Sequence, residues 1–375
     1  MQRYSNIDLS RGLIMIFMAL DHASLMVGRV HFTEMWGVDF TPYPDLLQWG
    51  TRFVSHLCAP GFFFLMGMSI YLFGEKSRRA DWSPGRIRAY FFKRGALILL
   101  LMLLLEVPAF AIAGGAKQVG EAAVMPGQFN GGFFFPGTVL FGLGTCMIVS
   151  AFLWQLNRWL LLGISISSFV FSALVIATTD PSEAVNPLWH FFIVPGQSDG
   201  ALSMYPLIPW LGITTFGIFW ARILKNNPSA FFTYSLRVGI GFVLAALSVR
   251  ALGYGNFQIS EYRDWISFFT LIKYPPSLVF SLLMIGVHLI LLHVFTRTFG
   301  RSWQQPLLIF GQTAMFFYIL HLHLYAWTGI AFPMGCHMAV MYAIWLLGLV
   351  VLFYLCRWFV AFKKTKPPGS IWRMI

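Results

Sequence analysis

The sequence predicts an all-α polytopic integral membrane protein, a helical bundle of about ten transmembrane helices. Hydrophobic residues make up 58% of the chain and charged residues 11%, and the mean hydropathy is +0.70. Soluble domains contain about 25% charged residues, so this composition excludes an ordinary soluble fold. Apolar runs of about 20 residues can cross a bilayer. Ten such runs are present, at 9–28, 53–74, 92–113, 136–155, 159–178, 205–223, 231–249, 277–296, 307–330 and 338–360.

The runs leave little room for a second folded unit. The longest connections, at 179–204 and 250–276, are too short for an accessory domain, so residues 1–375 are interpreted as a single transmembrane domain. The first run has full spanning length and lacks a small-x-small cleavage site, which favours a signal anchor that is retained. The four cysteines have no metal-ligand spacing, so no metal site is expected.

The basic residues set the expected orientation. With a cytoplasmic N-terminus, 19 of the 26 Lys and Arg residues face the cytoplasm and 6 face the other side. This asymmetry predicts that both termini are cytoplasmic. The net charge of +12 then lies mostly against anionic lipid, and no nucleic-acid partner is implied.

The first run contains the segment RGLIMIFMALDH, from Arg11 to His22, with Asp21 beside the histidine. Eleven residues at 100° each return to nearly the same direction, so Arg11 and His22 share one helix face, about 16 Å apart along the axis. Ionisable groups within hydrocarbon are unfavourable unless paired or solvated, and they are therefore candidates for a functional site.

Titratable residues of four spans are predicted to lie at one depth, in the outer half of the membrane. This suggests a polar chamber open to the non-cytoplasmic side, with candidate catalytic residues His22, Asp21, Glu106, His321 and His56. Other roles stay open for several of them. His22 could be an interhelical hydrogen-bonding residue, Glu106 could orient a histidine or pair with a cation, and His56 could be solvated. His321 and His323 are two residues apart on a helix, so only one of them can face the chamber.

Two segments on the outer side carry paired prolines, YPLIPWLG at 205–212 and KYPPSL at 273–278. They are compatible with irregular backbone lining a cavity, or with simple helix starts.

Six segments, in order along most of the chain, resemble the family related to the catalytic domain of heparan-alpha-glucosaminide N-acetyltransferase, which includes bacterial membrane proteins. They are IDLSRGLIMIFMALDH (7–22), HLCAPGFFFLMGMS (56–69), KRGALILLLMLLLE (93–106), YPLIPWLG (205–212), KYPPSL (273–278) and FGQTAMFFYILHLHLY (310–325). The spacing from Arg11 to His22 also resembles the first-span signature of the wider membrane acyltransferase superfamily.

This resemblance implies an enzyme that takes an acyl group, typically acetyl, from cytoplasmic acyl-CoA. The group is delivered to a hydroxyl or amine of a sugar or glycan on the far side of the membrane. The catalytic histidine is then His22, which matches the superfamily signature, or His31, which lies near the spacing of the family's lysosomal enzyme. We favour His22.

The residues fit this chemistry. Histidine is a suitable base for deprotonating an acceptor, and a carboxylate such as Asp21 or Glu106 would fix its tautomer. A covalent acyl-histidine and direct transfer both stay open. Arginine matches the geometry of phosphate, so the CoA phosphates are predicted to bind at the cytoplasmic rim. The candidates there are Arg11, Arg94, Arg222 and Arg237.

The alternative function is a secondary transporter or flippase for a small polar or glycolipid substrate. Such proteins also place polar groups and broken helices inside a bundle. The two halves of the chain show no internal repeat, which disfavours this alternative. The sequence leaves a monomer and a homodimer open.

Overall fold

A computed structural model describes residues 4–30, 34–38, 43–118, 135–180, 186–198, 201–257, 259, 261–298, 300–367 and 369–375. Within these ranges nine helical stretches are long and apolar enough to cross a membrane, and a shorter apolar helix, Val139–Leu153, corresponds to the predicted span at 136–155. All ten predicted runs therefore coincide with helices. The chain is an all-α, multi-pass membrane protein, as its composition predicted.

The α-helices, in chain order, are α1 (Ser5–Ala23), α2 (Leu46–Ser55), α3 (Cys58–Arg78), α4 (Pro84–Leu101), α5 (Val107–Gln118), α6 (Val139–Leu153), α7 (Arg158–Thr178), α8 (Pro187–Phe192), α9 (Leu207–Asn226), α10 (Pro228–Ala251), α11 (Trp265–Phe268), α12 (Leu278–Thr298), α13 (Gln305–Gln312), α14 (Ala314–Thr328) and α15 (Met338–Lys364). The helical structure also includes two π-helical turns, at Ser24–Gly28 and Met102–Glu106. There are three 3₁₀ turns in the described residues, at Ser302–Gln304, Gly329–Ala331 and Ile371–Arg373.

A small sheet is the remaining regular structure of the described residues. Its strands are β1 (Phe135–Gly137), β2 (Gly196–Ser198) and β3 (Ala201–Ser203), in the order β1-β3-β2. β1 is parallel to β3, with Phe135 opposite Ala201, and β2 is antiparallel to β3. The sheet lies between the ends of spans and contributes little to the core.

Glycines allow the central helices to approach closely. A Cβ atom on Gly12 of α1 would lie 1.9 Å from the carbonyl oxygen of Leu307 in α13, and one on Gly67 of α3 would lie 2.1 Å from that of Thr214 in α9. Small residues are the usual means of helix association in lipid, where no hydrophobic force drives helices together. α1, α3, α9 and α13 therefore form a tightly packed centre.

Three helical regions are interrupted near the candidate site residues His22, His56 and Glu106. α2 and α3 are separated at His56 and Leu57, and each π-helical turn adds a residue to its turn of helix. π-helical turns occur frequently at functional sites, because they rotate the side chains that follow. One of these turns begins two residues after His22, and the other ends at Glu106.

The two proline segments have different structures. α9 begins at Leu207, directly after Pro206, so the 205–212 segment is a simple helix start. Residues 273–277 are not helical, and hydrogen bonds from the N–H groups of Lys273 and Tyr274 to the carbonyl of Glu34 fix them to the segment between α1 and α2. The irregular alternative therefore applies to the second segment alone.

Candidate active site

The C-terminal end of α1 brings His22 against α14. His22 Nδ1 lies 2.7 Å from Nε2 of His321, and the two rings stack with centroids 4.9 Å apart. Both residues are buried, with His22 7% and His321 0% exposed. Arg11, on the same face of α1, donates to the carbonyl of Gly311 in α13. The shared face deduced from the spacing is therefore the face that packs along α13 and α14.

The hydrogen bonds assign the tautomers of both histidines. His321 Nδ1 lies 3.0 Å from the carbonyl oxygen of Phe317, which can only accept, so Nδ1 carries the proton. In neutral His321, Nε2 then accepts, and the donor is the Nδ1–H of His22. An imidazolium here would be a buried charge with no carboxylate bonded to it, which favours the neutral pair. His22 Nε2 is left with a free lone pair and has no bonded partner among the described residues.

This arrangement differs from the expected one. A carboxylate, Asp21 or Glu106, was expected to fix the His22 tautomer, whereas the group on Nδ1 is His321. The reason is geometric, because Asp21 and His22 are consecutive on a helix and point about 100° apart. Asp21 consequently faces α2 while His22 faces α14.

Asp21 belongs to a buried ionic cluster that joins α1, α2 and the loop between them. Its Oδ1 atom accepts from Arg52 Nη1 at 2.8 Å and from Ser55 Oγ at 2.7 Å. Arg52 also donates from Nη2 to Glu34 Oε2 at 2.7 Å, and Tyr43 donates to Glu34 Oε1. One guanidinium thus bridges two carboxylates, and its Nε and Nη2 atoms bind the Glu34 carboxylate in the bidentate geometry for which arginine is suited. We call Asp21, Glu34, Tyr43, Arg52 and Ser55 the outer ionic cluster.

Glu34 lies in the loop outside the spans, where burial and charge oppose each other. Burial raises the pKa of its carboxyl group, but Arg52 and His56 outweigh burial and hold that pKa well below its ordinary value. Burial, together with the negative charge of Glu34, raises the pKa of the Tyr43 hydroxyl. Glu34 is therefore an anion at neutral pH, and Tyr43 is a neutral donor to it.

His56 lies at the edge of this cluster. It is 2% exposed, which excludes the interpretation of a solvated histidine at the membrane surface. Its Nε2 atom is 3.3 Å from Glu34 Oε1, in electrostatic contact but poorly aligned for a hydrogen bond, and neither ring nitrogen has a hydrogen-bond partner in the described part of the chain.

Glu106 reaches the histidine pair through Tyr318. Its two carboxyl oxygens accept from Thr138 Oγ1 and from Tyr318 OH, each at 2.5 Å. Tyr318 precedes His321 by one turn of α14, and its ring contacts that of His22 edge-on at 6.3 Å. The structure therefore brings His22, Glu106 and His321 together around one tyrosine, and the Glu106 side chain orients neighbours through hydroxyl groups.

The four arginines that were predicted to lie at the cytoplasmic rim have separate environments. Arg11 contacts Asp8, Ser69 and the Gly311 carbonyl, and the Arg222 guanidinium lies 5.2 Å from the ring of Tyr71. Ser69 and Tyr71 are two residues apart on α3 and point to different sides of it, so Arg11 and Arg222 contact different faces of this helix. Arg94 is half-buried on α4, and Arg237 is exposed on α10.

Sequence reasoning missed several residues of this region. His31, the alternative catalytic histidine of the sequence analysis, falls outside the described residues, and its role stays a prediction. Arg52 was counted only for membrane orientation, and Glu34, Tyr43 and Tyr318 were not singled out. The available signal was the presence of Glu34 and Arg52 in short outer segments next to the ends of spans one and two.

Comparisons with known proteins identify the family. Residues 3–254 match the family described as "Heparan-alpha-glucosaminide N-acetyltransferase, catalytic". A comparison with curated proteins finds no match. The matched range contains Asp21, His22, His56 and Glu106, whereas His321 lies beyond it. Because the match spans more than half of the chain, the protein belongs to the heparan-alpha-glucosaminide N-acetyltransferase catalytic family of membrane acetyltransferases.

Proposed function

We propose that the protein transfers an acyl group, acetyl in the first instance, from cytoplasmic acyl-CoA to a hydroxyl or amine of a sugar or glycan on the non-cytoplasmic side. The proposed catalytic base is His22. Both termini would be cytoplasmic, in a bacterial inner membrane.

One observation carries this proposal, the hydrogen bond between His22 Nδ1 and His321 Nε2 at 2.7 Å. It directs the lone pair of the base to His22 Nε2, the nitrogen with no bonded partner in the described residues. General-base catalysis requires a free lone pair near neutral pH, and histidine has the appropriate unperturbed pKa.

The proposed transfer passes through a tetrahedral intermediate. His22 Nε2 takes the proton of the acceptor hydroxyl or amine while the acceptor atom bonds to the thioester carbonyl carbon. The tetrahedral intermediate collapses, the C–S bond breaks, and the CoA thiolate leaves. The proton on His22 Nε2 passes to the leaving thiolate, which restores the neutral histidine. His321 keeps the ring oriented throughout, because its Nε2 accepts from His22 Nδ1.

On the donor side, Arg222 is the strongest candidate among the rim arginines for binding a CoA phosphate. Its Nη2 atom donates to the carbonyl of Trp154, and its Nε atom is buried without a hydrogen-bond partner among the described residues. Arg11, Arg94 and Arg237 are the further candidates.

Between Arg11 and His22, the face of α1 is filled by Met15 and Met18, which are 1% and 5% exposed. Methionine side chains repack readily, so a pantetheine arm would displace them.

The decisive experiment measures thiol release from acetyl-CoA by the purified protein in proteoliposomes, with a panel of amino sugars and neutral sugars. We expect acceptor-dependent release by the wild type and none by His22→Ala. His323→Ala is the matched control, since His323 is on the same helix as His321 but lies outside the histidine pair. Full activity of His22→Ala would exclude His22 as the base.

Sidedness is tested with vesicles of known orientation. Acetyl-CoA on the cytoplasmic face should support transfer, and acetyl-CoA on the opposite face should not. Uptake of a sugar or glycolipid without any thiol release would contradict the enzyme and support the transporter. If acid-quenched protein carries a labelled acetyl group at His22, the transfer proceeds through a covalent acyl-histidine and is not direct.

A further inference from the structure

Lys273 is a buried cation whose backbone is firmly held. The residue is 3% exposed and precedes α12. Its backbone N–H and that of Tyr274 donate to the Glu34 carbonyl at 3.0 and 3.1 Å, and the N–H of Trp36 donates to the Tyr274 carbonyl at 2.8 Å. The side chain therefore starts from a fixed point at the outer end of the bundle, next to the outer ionic cluster.

No acidic partner of the ammonium group is found among the described residues. Arg52 is bonded to both Asp21 and Glu34, whereas no carboxylate oxygen of the described residues lies within 4.0 Å of Lys273 Nζ. The contact found for Nζ is with the ring of Tyr274, 5.0 Å from its centroid. A lysine ammonium has three N–H groups to donate, and burying it without acceptors is costly.

The position of this charge relates it to His22. The backbone of Lys273 is bonded to Glu34, Arg52 joins Glu34 to Asp21, and Asp21 directly precedes His22 in α1. In this arrangement the ammonium charge is near enough to act on His22, His56 and Cys58. The lysine therefore extends from the cluster that adjoins the proposed base, and no hydrogen-bond acceptor for its ammonium group is found among the described residues.

We propose that Lys273 binds the carbonyl oxygen of the acyl thioester and stabilises the oxyanion that forms on it. This inference rests on the proposed acyl transfer. When the acceptor bonds to the carbonyl carbon, the carbonyl π electrons move to the oxygen, and the ammonium donates a hydrogen bond to that negative charge. On collapse the electrons return to the C=O bond and the C–S bond breaks. Preorganised donors aimed at developing charge are commonly the largest single catalytic contribution of an active site.

The first test measures binding and needs no turnover. It compares two CoA derivatives, a ketone in which a methylene replaces the thioester sulfur and S-ethyl-CoA, which has no carbonyl. The wild type should bind the ketone about tenfold more tightly, the value of one charge-assisted hydrogen bond. Lys273→Met should bind S-ethyl-CoA normally and lose the preference. Arg263→Met, which removes an exposed cation of an outer loop, should keep it.

The second test measures kinetics with acetyl-CoA. Lys273→Met should lower kcat by about 10²-fold or more with little change in KM, as is found on removing an oxyanion donor. Lys273→Arg, which keeps a cationic donor, should recover part of kcat and provides the readout if the methionine variant does not fold. A ketone preference retained in Lys273→Met, or in a folded Lys273→Gln, overturns the proposal for Lys273. A wild type that binds neither derivative instead contradicts the acyl-CoA donor itself.

Discussion

His22 and His321 are 299 positions apart in the chain, yet Nδ1 of one lies 2.7 Å from Nε2 of the other. The direction of this hydrogen bond is set one turn earlier on α14, where the Phe317 carbonyl holds the proton on His321 Nδ1. The lone pair of His22 Nε2 therefore depends on the packing of α14 against α1. In the proposed mechanism, the neutral His321 imidazole orients His22 as the carboxylate of a Ser-His-Asp triad orients its histidine.

Removing His321 should impair catalysis without preventing folding. His321→Ala leaves His22 free to adopt the other tautomer, and we expect kcat to fall by about 10²-fold, the lower range for loss of an oriented base. His321→Gln offers an amide oxygen near the former Nε2 position and should retain more activity than alanine. The measurement is steady-state thiol release from acetyl-CoA.

His323→Ala and His31→Ala are assayed beside these variants. The first should be unaffected, and the second decides whether His31 contributes. Equal activity of His321→Ala and the wild type would show that the histidine pair is only structural.

The outer ionic cluster should make stability depend on pH. Because the pKa of Glu34 is lowered in the folded protein from an ordinary value of 4.5, its contribution is fully present above about pH 4.5. It is lost as the pH falls through the lower, folded-state pKa. Breaking a buried ion pair costs about 3–5 kcal/mol, so Glu34→Gln should lower Tm clearly at pH 7.

The same variant should show a smaller decrease of Tm between pH 4.5 and 3 than the wild type. Tm is followed by tryptophan fluorescence in detergent micelles. Glu261→Gln, at an exposed position, is the matched control and should behave as the wild type at both pH values. Parallel curves for Glu34→Gln and the wild type would mean that Glu34 is not the titrating group.

The helices could be predicted from the sequence because hydrocarbon requires about 20 apolar residues for each crossing. Even the 15-residue helix α6 was recognised, since its flanking residues extend the apolar run. Depth along the helices also directed attention to His22, Glu106 and His321, which the structure brings together. Their catalytic roles stay predictions.

The hydrogen bonds of the site could not be predicted in the same way. Glu34 lies in a loop whose position is fixed by backbone hydrogen bonds from residues 273 and 274, more than 200 positions later. Arg52 appears in the sequence as one of several outer basic residues, and nothing local distinguishes it. Asp21 was the natural partner for His22 by proximity in sequence, but neighbouring residues on a helix diverge by about 100°.

Glu106 and Tyr318 should act as one unit. Both carboxyl oxygens of Glu106 accept hydrogen bonds from hydroxyl groups, those of Thr138 and Tyr318. The ring of Tyr318 also contacts the ring of His22. We expect Glu106→Gln and Tyr318→Phe each to lower kcat by about tenfold, and the double variant to be little worse than either. Residues of one hydrogen-bond network show such non-additivity in double-mutant cycles. Fully additive losses would indicate two independent roles.

Arg222 and Arg237, both predicted from the sequence to bind a CoA phosphate, should contribute differently to the binding of acetyl-CoA. Arg222 is half-buried, and its Nε atom has no hydrogen-bond partner in the part of the chain that the structure describes, whereas Arg237 is exposed on α10. Arg222→Gln should raise the KM for acetyl-CoA about tenfold and leave the KM for the acceptor unchanged, because one charge-assisted contact is lost. Arg237→Gln should have a smaller effect. If Arg237→Gln raised the KM for acetyl-CoA more than Arg222→Gln, the phosphate would bind at α10 instead.

The glycine contact between α3 and α9 should limit the stability of the bundle. A Cβ atom on Gly67 would lie 2.1 Å from the Thr214 carbonyl oxygen, and one on Gly217 would lie 2.2 Å from that of Phe64, so neither helix can yield without moving its backbone. Gly67→Ala should therefore destabilise the protein by about 1–3 kcal/mol. Gly241→Ala is the matched control within a helix, since its Cβ meets nothing within 4 Å. It should keep or raise Tm, because alanine favours helix over glycine by about 1 kcal/mol. If both alanine variants melt at the wild-type temperature, close approach of α3 and α9 is not what holds the centre of the bundle together.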